Sequence, residues 1–168
     1  MNMADMDKKE LGEYILAVVR IMIGCTMLWP FFDKLFGLGF ATPAGQGMID
    51  GGSPSSFVIY VAGGIFKDFY VSLAGNQIVD IILMLGLLIM GVTLIIGIAS
   101  KLTTVMMMVF LLVMYSLHVP PEDGPIIDYH LIQCVLMPVI YYLGGYEKLS
   151  VLDKWKELSL VKRFPILE

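Results

Sequence analysis

The stretch that decides the fold is WPFFDKLFGLGF, residues 29–40. It ends a long apolar run with one acid and one base, Asp33 and Lys34, and then passes into glycines. One Trp and four Phe surround this charged pair. Aromatic residues around charges at the end of an apolar helix are typical of a membrane–water boundary. The stretch therefore predicts that a membrane helix ends here, and the other unusual polar residues can be located relative to that end.

The composition of the 168-residue chain agrees with a membrane protein of one domain. Apolar residues make up 58% of the chain and charged residues 15%, whereas soluble proteins average about 45–50% and about 25%. The mean hydropathy is +0.81. A soluble protein of this size would have to hide more apolar surface than its interior can hold. Because the sequence has no basic stripe, we expect no nucleic-acid partner.

Four apolar runs follow one another, each near the roughly 20 residues that cross a bilayer. They cover residues 14–36, 77–99, 102–119 and 128–146. The first run exceeds the roughly 7–15 residues of a signal-peptide core, so we expect it to be retained as a transmembrane helix. The predicted fold class is an all-α integral membrane protein, with residues 1–168 forming one four-transmembrane-helix bundle.

The segment 37–76 is rich in glycine and separates the first two runs. Thr42-Pro43 and Ser53-Pro54 each place a capping hydroxyl before a proline, which is typical of a helix start. We therefore expect an outer helical cap lying on the bundle or in the interface. A flexible loop is the alternative, although forty structureless residues are unusual in a compact domain.

Glycines and one arginine inside the runs carry further expectations. Gly86, Gly91 and Gly97 would let a neighbouring helix approach the second span closely. Arg20 lies inside the first run, where we expect a structural role and a partner among the acids Glu13 and Glu147, or a main-chain carbonyl.

The two cysteines, Cys25 and Cys134, sit in apolar runs without CxxC or zinc spacing. We interpret both as small buried apolar residues, the alternative being a redox pair.

The tail and the charges give the chain an orientation. Residues 147–168 alternate apolar and basic residues, which predicts a cytoplasmic amphipathic helix on the membrane surface. In a four-span chain both termini lie on one side, and that side holds eight of the eleven basic residues, whereas the other side holds only Lys34 and Lys67 and Arg20 lies within the first span. The eight are Lys8, Lys9, Lys101, Lys148, Lys154, Lys156, Lys162 and Arg163. The positive-inside rule then places both termini in the cytoplasm.

Six titratable residues fall at the outer ends of the four predicted helices and are the candidate catalytic residues. They are Asp33, Lys34, Asp80, His118, Asp128 and His130. A charge at the centre of a membrane helix costs about 2.5–3.5 kcal/mol on insertion scales. Near the ends the cost is smaller, so interfacial pairing is the structural alternative for any one of them. We expect the six to collect at one end of the bundle.

A quinone is one ligand that this set of groups suits. Its ring arrives from the lipid, and its reduction requires protons at two carbonyl oxygens, which His beside Asp and Lys beside Asp can deliver. Trp29, Phe31 and Tyr129 are the candidates for lining the ring pocket. A divalent metal held by His118, His130 and carboxylates is an alternative with a weak spacing signal. The chain has no haem motif, dinucleotide fingerprint or P-loop, so we predict no tightly bound cofactor and no resident metal.

Several motifs resemble those of the DoxX/DoxD-like membrane proteins. They are Arg20-x3-Gly24, Trp29-x3-Asp33-Lys34 with LFGLGFAT, Asp50 with GGSPS, LAGN at 73–76 through Asp80, PPE at 120–122 with Asp128-x-His130, and LVKRFP at 160–165. The resemblance covers nearly the whole chain and implies a four-helix prokaryotic membrane protein. That family includes the membrane subunit of thiosulfate:quinone oxidoreductase, which passes electrons from thiosulfate to membrane quinone and yields tetrathionate together with a partner subunit.

Three function classes stay open. The first, which the resemblance implies, is the membrane subunit of a quinone-linked oxidoreductase in the prokaryotic cell membrane, with membrane quinone and a second oxidoreductase subunit as partners. The second is a non-catalytic membrane subunit or assembly factor that docks a partner on its outer cap. The third is a small-molecule transporter, for which four spans would have to form a homo-oligomer.

Overall fold

The computed structural model of the chain describes residues 7–121, 124 and 126–168. These residues are helical and contain no β-strand, which confirms the predicted all-α class. Their α-helices are α1 (Lys8–Phe36), α2 (Val58–Val61), α3 (Lys67–Leu73), α4 (Gln77–Ile96), α5 (Ser100–Ser116), α6 (Tyr129–Tyr142), α7 (Leu152–Lys156) and α8 (Ser159–Arg163). Short 3-10 turns add Met48–Asp50, Pro54–Phe57, Gly64–Phe66 and Pro165–Leu167.

Two of these helices, α1 and α4, are long and apolar enough to cross a membrane. The first begins at Lys8, earlier than the apolar run, and continues through Pro30 to Phe36. It ends because Gly37 adopts a left-handed backbone (φ 61°) and donates its N–H to the carbonyl of Asp33. The helices α5 and α6 are shorter, with 17 and 14 residues.

Glycines bring α1 and α4 close together. A Cβ added to Gly24 would lie 2.8 Å from Ile95 Cγ1, and one added to Gly91 would lie 3.0 Å from the backbone nitrogen of Leu28. The expected close approach at Gly91 is therefore confirmed. The second helix pair is α5 and α6, and both pairs share one apolar core. Its most buried members are Leu94, Met107, Leu111, Met137 and Ile140.

The segment 37–76 forms the expected cap, but only one of its two predicted helix starts exists. Pro54 begins a 3-10 turn that leads into α2. No helix begins at Pro43 in the described chain, so that prediction is wrong. The chain makes a single turn here instead, in which the N–H of Gln46 donates to the carbonyl of Pro43 at 3.1 Å, and Gly45 leaves the helical conformation with a left-handed backbone (φ 74°).

The tail differs from the single surface helix that its sequence predicts. It folds into the short helices α7 and α8, with Val161 fully buried and Trp155 donating its indole N–H to the carbonyl of Leu167 at 2.6 Å. The carbonyl of Glu168 accepts from the N–H of Lys101 at 3.0 Å. The tail therefore packs against the beginning of α5, at the end of the bundle opposite the cap.

Candidate functional site

The cap is fastened to α4 through Asp80. One carboxylate oxygen of Asp80 accepts from the hydroxyl of Ser53 at 2.9 Å and from the backbone N–H of Ser55 at 2.6 Å. The hydroxyl of Ser55 in turn accepts from the N–H of Gly75 at 3.0 Å. Asp80 and Ser55 are both buried. Asp80 thus satisfies the amide and hydroxyl of the cap, and Ser53 serves α4 instead of capping its own turn.

The cap is fastened to α5 through the backbone. The N–H of Gly63 donates to the carbonyl of Leu117 at 2.8 Å, and the N–H of Ile65 donates to the carbonyl of Val119 at 2.9 Å. The hydroxyl of Tyr70, on α3, is hydrogen-bonded to that of Ser116 at the end of α5. The cap therefore bridges the beginning of α4 and the end of α5.

Below this bridge lies a cavity of about 450 Å³ between α4 and α5. Its accessible wall is apolar, and it is open on the outer side of the two helices, where the lining residues Ile82, Val105 and Val109 are exposed. The lining residues are Ser55, Phe57, Val58, Tyr70 and Leu73 from the cap, Val79, Ile82, Leu83, Gly86 and Met90 from α4, and Val105, Met106, Val109, Phe110, Val113, Met114 and Leu117 from α5 or just after it. Ligand pockets in proteins fall in the same range, about 300–1,000 Å³.

The six predicted titratable residues form two groups by their contacts. The first group, on α1 and α4, contains Asp33, Lys34 and Asp80. The carboxylate of Asp33 accepts from the N–H groups of Phe40 and Thr42 and is 1% exposed. This carboxylate therefore fixes the loop that follows α1 through two backbone hydrogen bonds.

Lys34 is a buried cation with an aromatic partner. Its side chain is 7% exposed, and its ammonium lies 4.3 Å from the ring centroid of Phe57, which is a wall of the cavity. None of the ion pairs in the described residues includes Lys34. A desolvated cation over a ring gains about 2 kcal/mol from this contact.

The second group contains His118, Asp128 and His130. The Nδ1 atom of His130 lies 2.6 Å from Asp128 Oδ2, and the rings of His118 and His130 stack at 6.2 Å between centroids. His130 is buried, and Asp128 also caps α6 by accepting from the N–H of Leu131 at 3.1 Å. The contact between His130 and Asp128 can hold and orient a proton.

The aromatic residues predicted to line a ring pocket each pack on a different neighbour. Trp29 packs edge-on against Phe40 at 4.9 Å, Phe31 against Phe32 at 5.3 Å, and Tyr129 against His130 at 3.9 Å. Trp29 and Tyr129 are 49% and 64% exposed. None of the three lines the cavity between α4 and α5.

At the opposite end of the bundle, Arg20 shows the contacts of a structural residue. Its guanidinium donates to the carbonyls of Leu149 and Lys148 at 2.7 and 3.2 Å, and its side chain is fully buried. Its Cζ lies 5.2 Å from the ring centroid of Tyr146. Of the partners that the sequence left open, the main-chain carbonyl is the one observed.

The acid Glu13, one of the two acids considered for Arg20, belongs instead to an ion-pair network with Lys9 and Lys148. Lys148 lies 3.7 Å from Glu13 and 3.3 Å from Glu10. The hydrogen bond with Glu10 and the charges of both carboxylates raise the pKa of Lys148. This network ties the beginning of α1 to the segment that follows α6.

Two other features concern the cysteines and the candidate metal ligands. The cysteines are both free and lie within helices; Cys134 is buried as expected, whereas Cys25 is exposed on the surface of α1, so the interpretation as a buried residue is wrong for Cys25. Among the residues that the structure describes, no group of three or more His, Cys, Asp or Glu side chains is placed to hold a metal ion. Glu122, part of one of the motifs, lies outside the described residues.

The cavity residues are the functional candidates that the sequence analysis missed. Gly86 was expected to admit a neighbouring helix, but an added Cβ would meet only Met90 Cε at 3.7 Å, so this expectation is wrong. Gly86 faces the cavity. The sequence offered one faint signal, which is the presence of a glycine in a predicted apolar helix, and Gly91 gives the same signal.

Comparisons of the chain with family models, with curated proteins and with solved structures give no match. The similarity to the DoxX/DoxD-like family therefore rests on the motifs and stays a prediction.

Proposed function

We propose that the chain is a four-span membrane protein of the prokaryotic cell membrane and the membrane subunit of a quinone-linked oxidoreductase. The observation that carries the proposal is the hydrogen-bonded Asp128–His130 pair, in which His130 is buried and its ring stacks on His118 at the cap end of an apolar helix bundle. Such a pair can deliver protons to a lipid-soluble acceptor that arrives from the side. Thiosulfate is the proposed electron donor, on the strength of the motif resemblance.

The exposure of the helices supports a bilayer as surroundings. The apolar windows of α1 and α4 are only 28% and 33% buried within the chain, whereas a core helix of a soluble protein is mostly buried. Large apolar side chains such as Met22, Ile82 and Val135 are each more than 60% exposed. Lipid would cover these surfaces. The apolar stretches around the shorter α5 and α6 complete the four proposed spans.

The excess of basic residues at the tail end supports cytoplasmic termini and an outward-facing cap. The proposed reaction has balanced atoms and charge. Two thiosulfate anions form one sulfur–sulfur bond and release two electrons, giving tetrathionate. The quinone takes up these two electrons and two protons and becomes a quinol. A partner subunit on the cap side would bind thiosulfate, and His130 and His118 would pass protons from the outer water to the quinone oxygens.

A reconstituted assay tests this proposal. The full chain, co-expressed with its partner subunit and placed in nanodiscs, should reduce a short-chain quinone when thiosulfate is added. His130→Asn keeps a side chain that can contact Asp128 but cannot carry a proton, so turnover should fall at least a hundredfold. Unchanged turnover in both His130→Asn and Lys34→Met would remove the proposed roles of these residues.

A second function, docking of a partner on the cap without redox activity, is favoured by one observation. The cap exposes large apolar side chains, with Tyr60, Ile65 and Phe69 at 87%, 73% and 60% exposure. Such a patch is typical of a protein or membrane contact. A photo-reactive residue at position 60 that traps one protein in native membranes, with no quinone reduction by any preparation, would favour this function over the first.

A further inference from the structure

The cavity between α4 and α5 has the shape of a channel for one chain. Its lining runs from Val79 to Met90 on α4 and from Val105 to Leu117 on α5 and just beyond. At 1.5 Å per residue these stretches are roughly 17 Å long. The cavity is therefore elongated along the helices, closed by the cap at one end and open along one side.

The charge of the cavity restricts what can occupy it. Among the residues that the structure describes, no charged side chain lines it, and its surface is apolar at the closed end as well. A phospholipid entering from the cap side would have to place its phosphate against this wall, and an unpaired charge in such surroundings costs several kcal/mol. An uncharged ring with a hydrocarbon tail meets no such cost. The wall thus favours a neutral lipid.

Three of the predicted titratable residues stand directly behind the closed end. Asp80 is hydrogen-bonded to the backbone of Ser55, a lining residue. Lys34 lies over the ring of Phe57, another lining residue. His118 follows one helical turn after the lining residue Met114 and contacts its carbonyl through Nδ1 at 3.3 Å.

We propose that this cavity is the quinone-binding site, with the ring beneath the cap and the isoprenoid tail lying along Gly86 between α4 and α5. The inference rests on the proposed function and adds to it the place and direction of binding. It brings residues from both titratable groups to one ligand, because Asp80 and Lys34 stand behind the cap wall while His118 extends the α5 wall. The ring pocket predicted from Trp29, Phe31 and Tyr129 plays no part in it.

Gly86 provides a way to close the cavity without disturbing the helices. A side chain there would extend into open space, since the one heavy atom near an added Cβ is the flexible end of Met90, at 3.7 Å. Gly86→Leu should therefore fill the tail channel and leave the fold intact. Val109→Phe fills it from the opposite wall, since Val109 lines the cavity and is 57% exposed.

Gly12→Leu is the matched control. Gly12 is also a helical glycine with no heavy atom within 4 Å of an added Cβ, but it lies at the beginning of α1, far along the chain from the cavity lining. Thermal unfolding of each purified variant in detergent shows whether the substitutions leave the fold intact. Both cavity variants must melt within a few degrees of the wild type for the binding comparison to count.

The test measures binding by native mass spectrometry of the full chain, with menaquinone-4 and, separately, phosphatidylethanolamine as probes. The wild type and Gly12→Leu should each bind one menaquinone-4, and the phospholipid should not displace it. Gly86→Leu and Val109→Phe should each lower the bound fraction at least tenfold. Equal binding of menaquinone-4 by all four proteins, or its displacement by equimolar phospholipid, would overturn the proposed binding site.

The same proteins separate this inference from the proposed function. If the wild type reduces quinone with its partner and Gly86→Leu does so equally well, the proposed quinone-binding site is wrong and the proposed function stands. If Gly86→Leu loses menaquinone-4 binding while no preparation ever reduces quinone, the proposed binding site is supported and the oxidoreductase function is wrong.

Discussion

The helix α4 has a glycine on each of two faces, and the surroundings of these two glycines differ. On the face toward α1, Gly91 lets the backbone of Leu28 come within 3.0 Å of where a Cβ would be. On the face toward α5, Gly86 borders a cavity of about 450 Å³. The two glycines are five residues apart and therefore about 140° apart around the helix. Gly91 permits the close packing of α4 on α1, and Gly86 borders the cavity.

The difference suggests a division of labour within the bundle. The pair α1 and α4 forms a fixed wall, because backbone meets backbone along it. The side facing α5 borders the cavity, and the cap bridges the two helices at the closed end of that cavity. A site built in this way has a rigid back and an open side, which suits a ligand that diffuses in the membrane.

The largest effect should come from Gly91→Leu. The new side chain would have to displace the backbone of α1 around Leu28, and overpacking of this kind costs typically about 1–3 kcal/mol and occasionally more. We expect about 3 kcal/mol, measured by reversible unfolding in mixed detergent micelles. Gly86→Leu is the comparison within the same helix. Equal losses of stability in the two variants would show that the faces of α4 do not differ.

Next in size is Arg20→Met, which acts at the tail end of the α1–α4 wall. The substitution removes both hydrogen bonds to the carbonyls of Lys148 and Leu149 and leaves those carbonyls without this donor. Hydrogen bonds to charged groups contribute about 1.5–3 kcal/mol, so we expect a loss of about 2–3 kcal/mol. Limited proteolysis should show earlier cleavage after α6. A variant as stable and resistant as the wild type would contradict the structural role of Arg20.

Asp80→Ala should have a smaller effect, confined to the cap. It leaves the buried N–H of Ser55 without its acceptor, which costs about 1–2 kcal/mol. Amide hydrogen exchange should rise in residues 53–57 but not in α1. Asp80→Asn keeps an acceptor oxygen for Ser55 and is the matched control. If the alanine variant exchanges no faster than the asparagine variant, the fastening of the cap does not depend on Asp80.

The smallest effect, and the one with the opposite sign, belongs to Gly86→Ala. Alanine in a helix interior is more favourable than glycine by about 0.5–1 kcal/mol, and the cavity accepts the added methyl group. The thermal midpoint should therefore rise slightly. Gly91→Ala should lower it, because the same methyl group meets the backbone of α1. Two shifts of the same sign would undo the contrast between the faces.

What the sequence could predict depended on signals local to each element. The ends of α1 and α4 follow from apolar runs bounded by Gly37 and by Asn76, which caps α4 by accepting from the N–H of Ile78. Pro54 marked a true start in the cap. The carbonyl partner of Arg20 was foreseen as one option, because a buried guanidinium needs acceptors.

The sequence could not predict the features that depend on the distance and orientation between elements. Gly86 and Gly91 look alike in the sequence, and only the packing of α1 distinguishes them. Asp33 and Asp80 read as functional acids, yet their oxygens accept from loop amides whose positions no local pattern encodes. The cavity is lined by the same apolar residue types that fill the core, so its existence was invisible before the helices were assembled.

The most direct test of the central claim, that the open side of α4 binds the quinone tail, is photo-crosslinking. A menaquinone analogue with a diazirine near the end of its isoprenoid tail would be bound to the full chain in nanodiscs and illuminated, and the labelled peptides sequenced. We expect labels at Gly86 to Met90 of α4 and at Val105 to Val109 of α5. Labels spread evenly over the exposed faces of α1 and α6, with none between α4 and α5, would contradict the account.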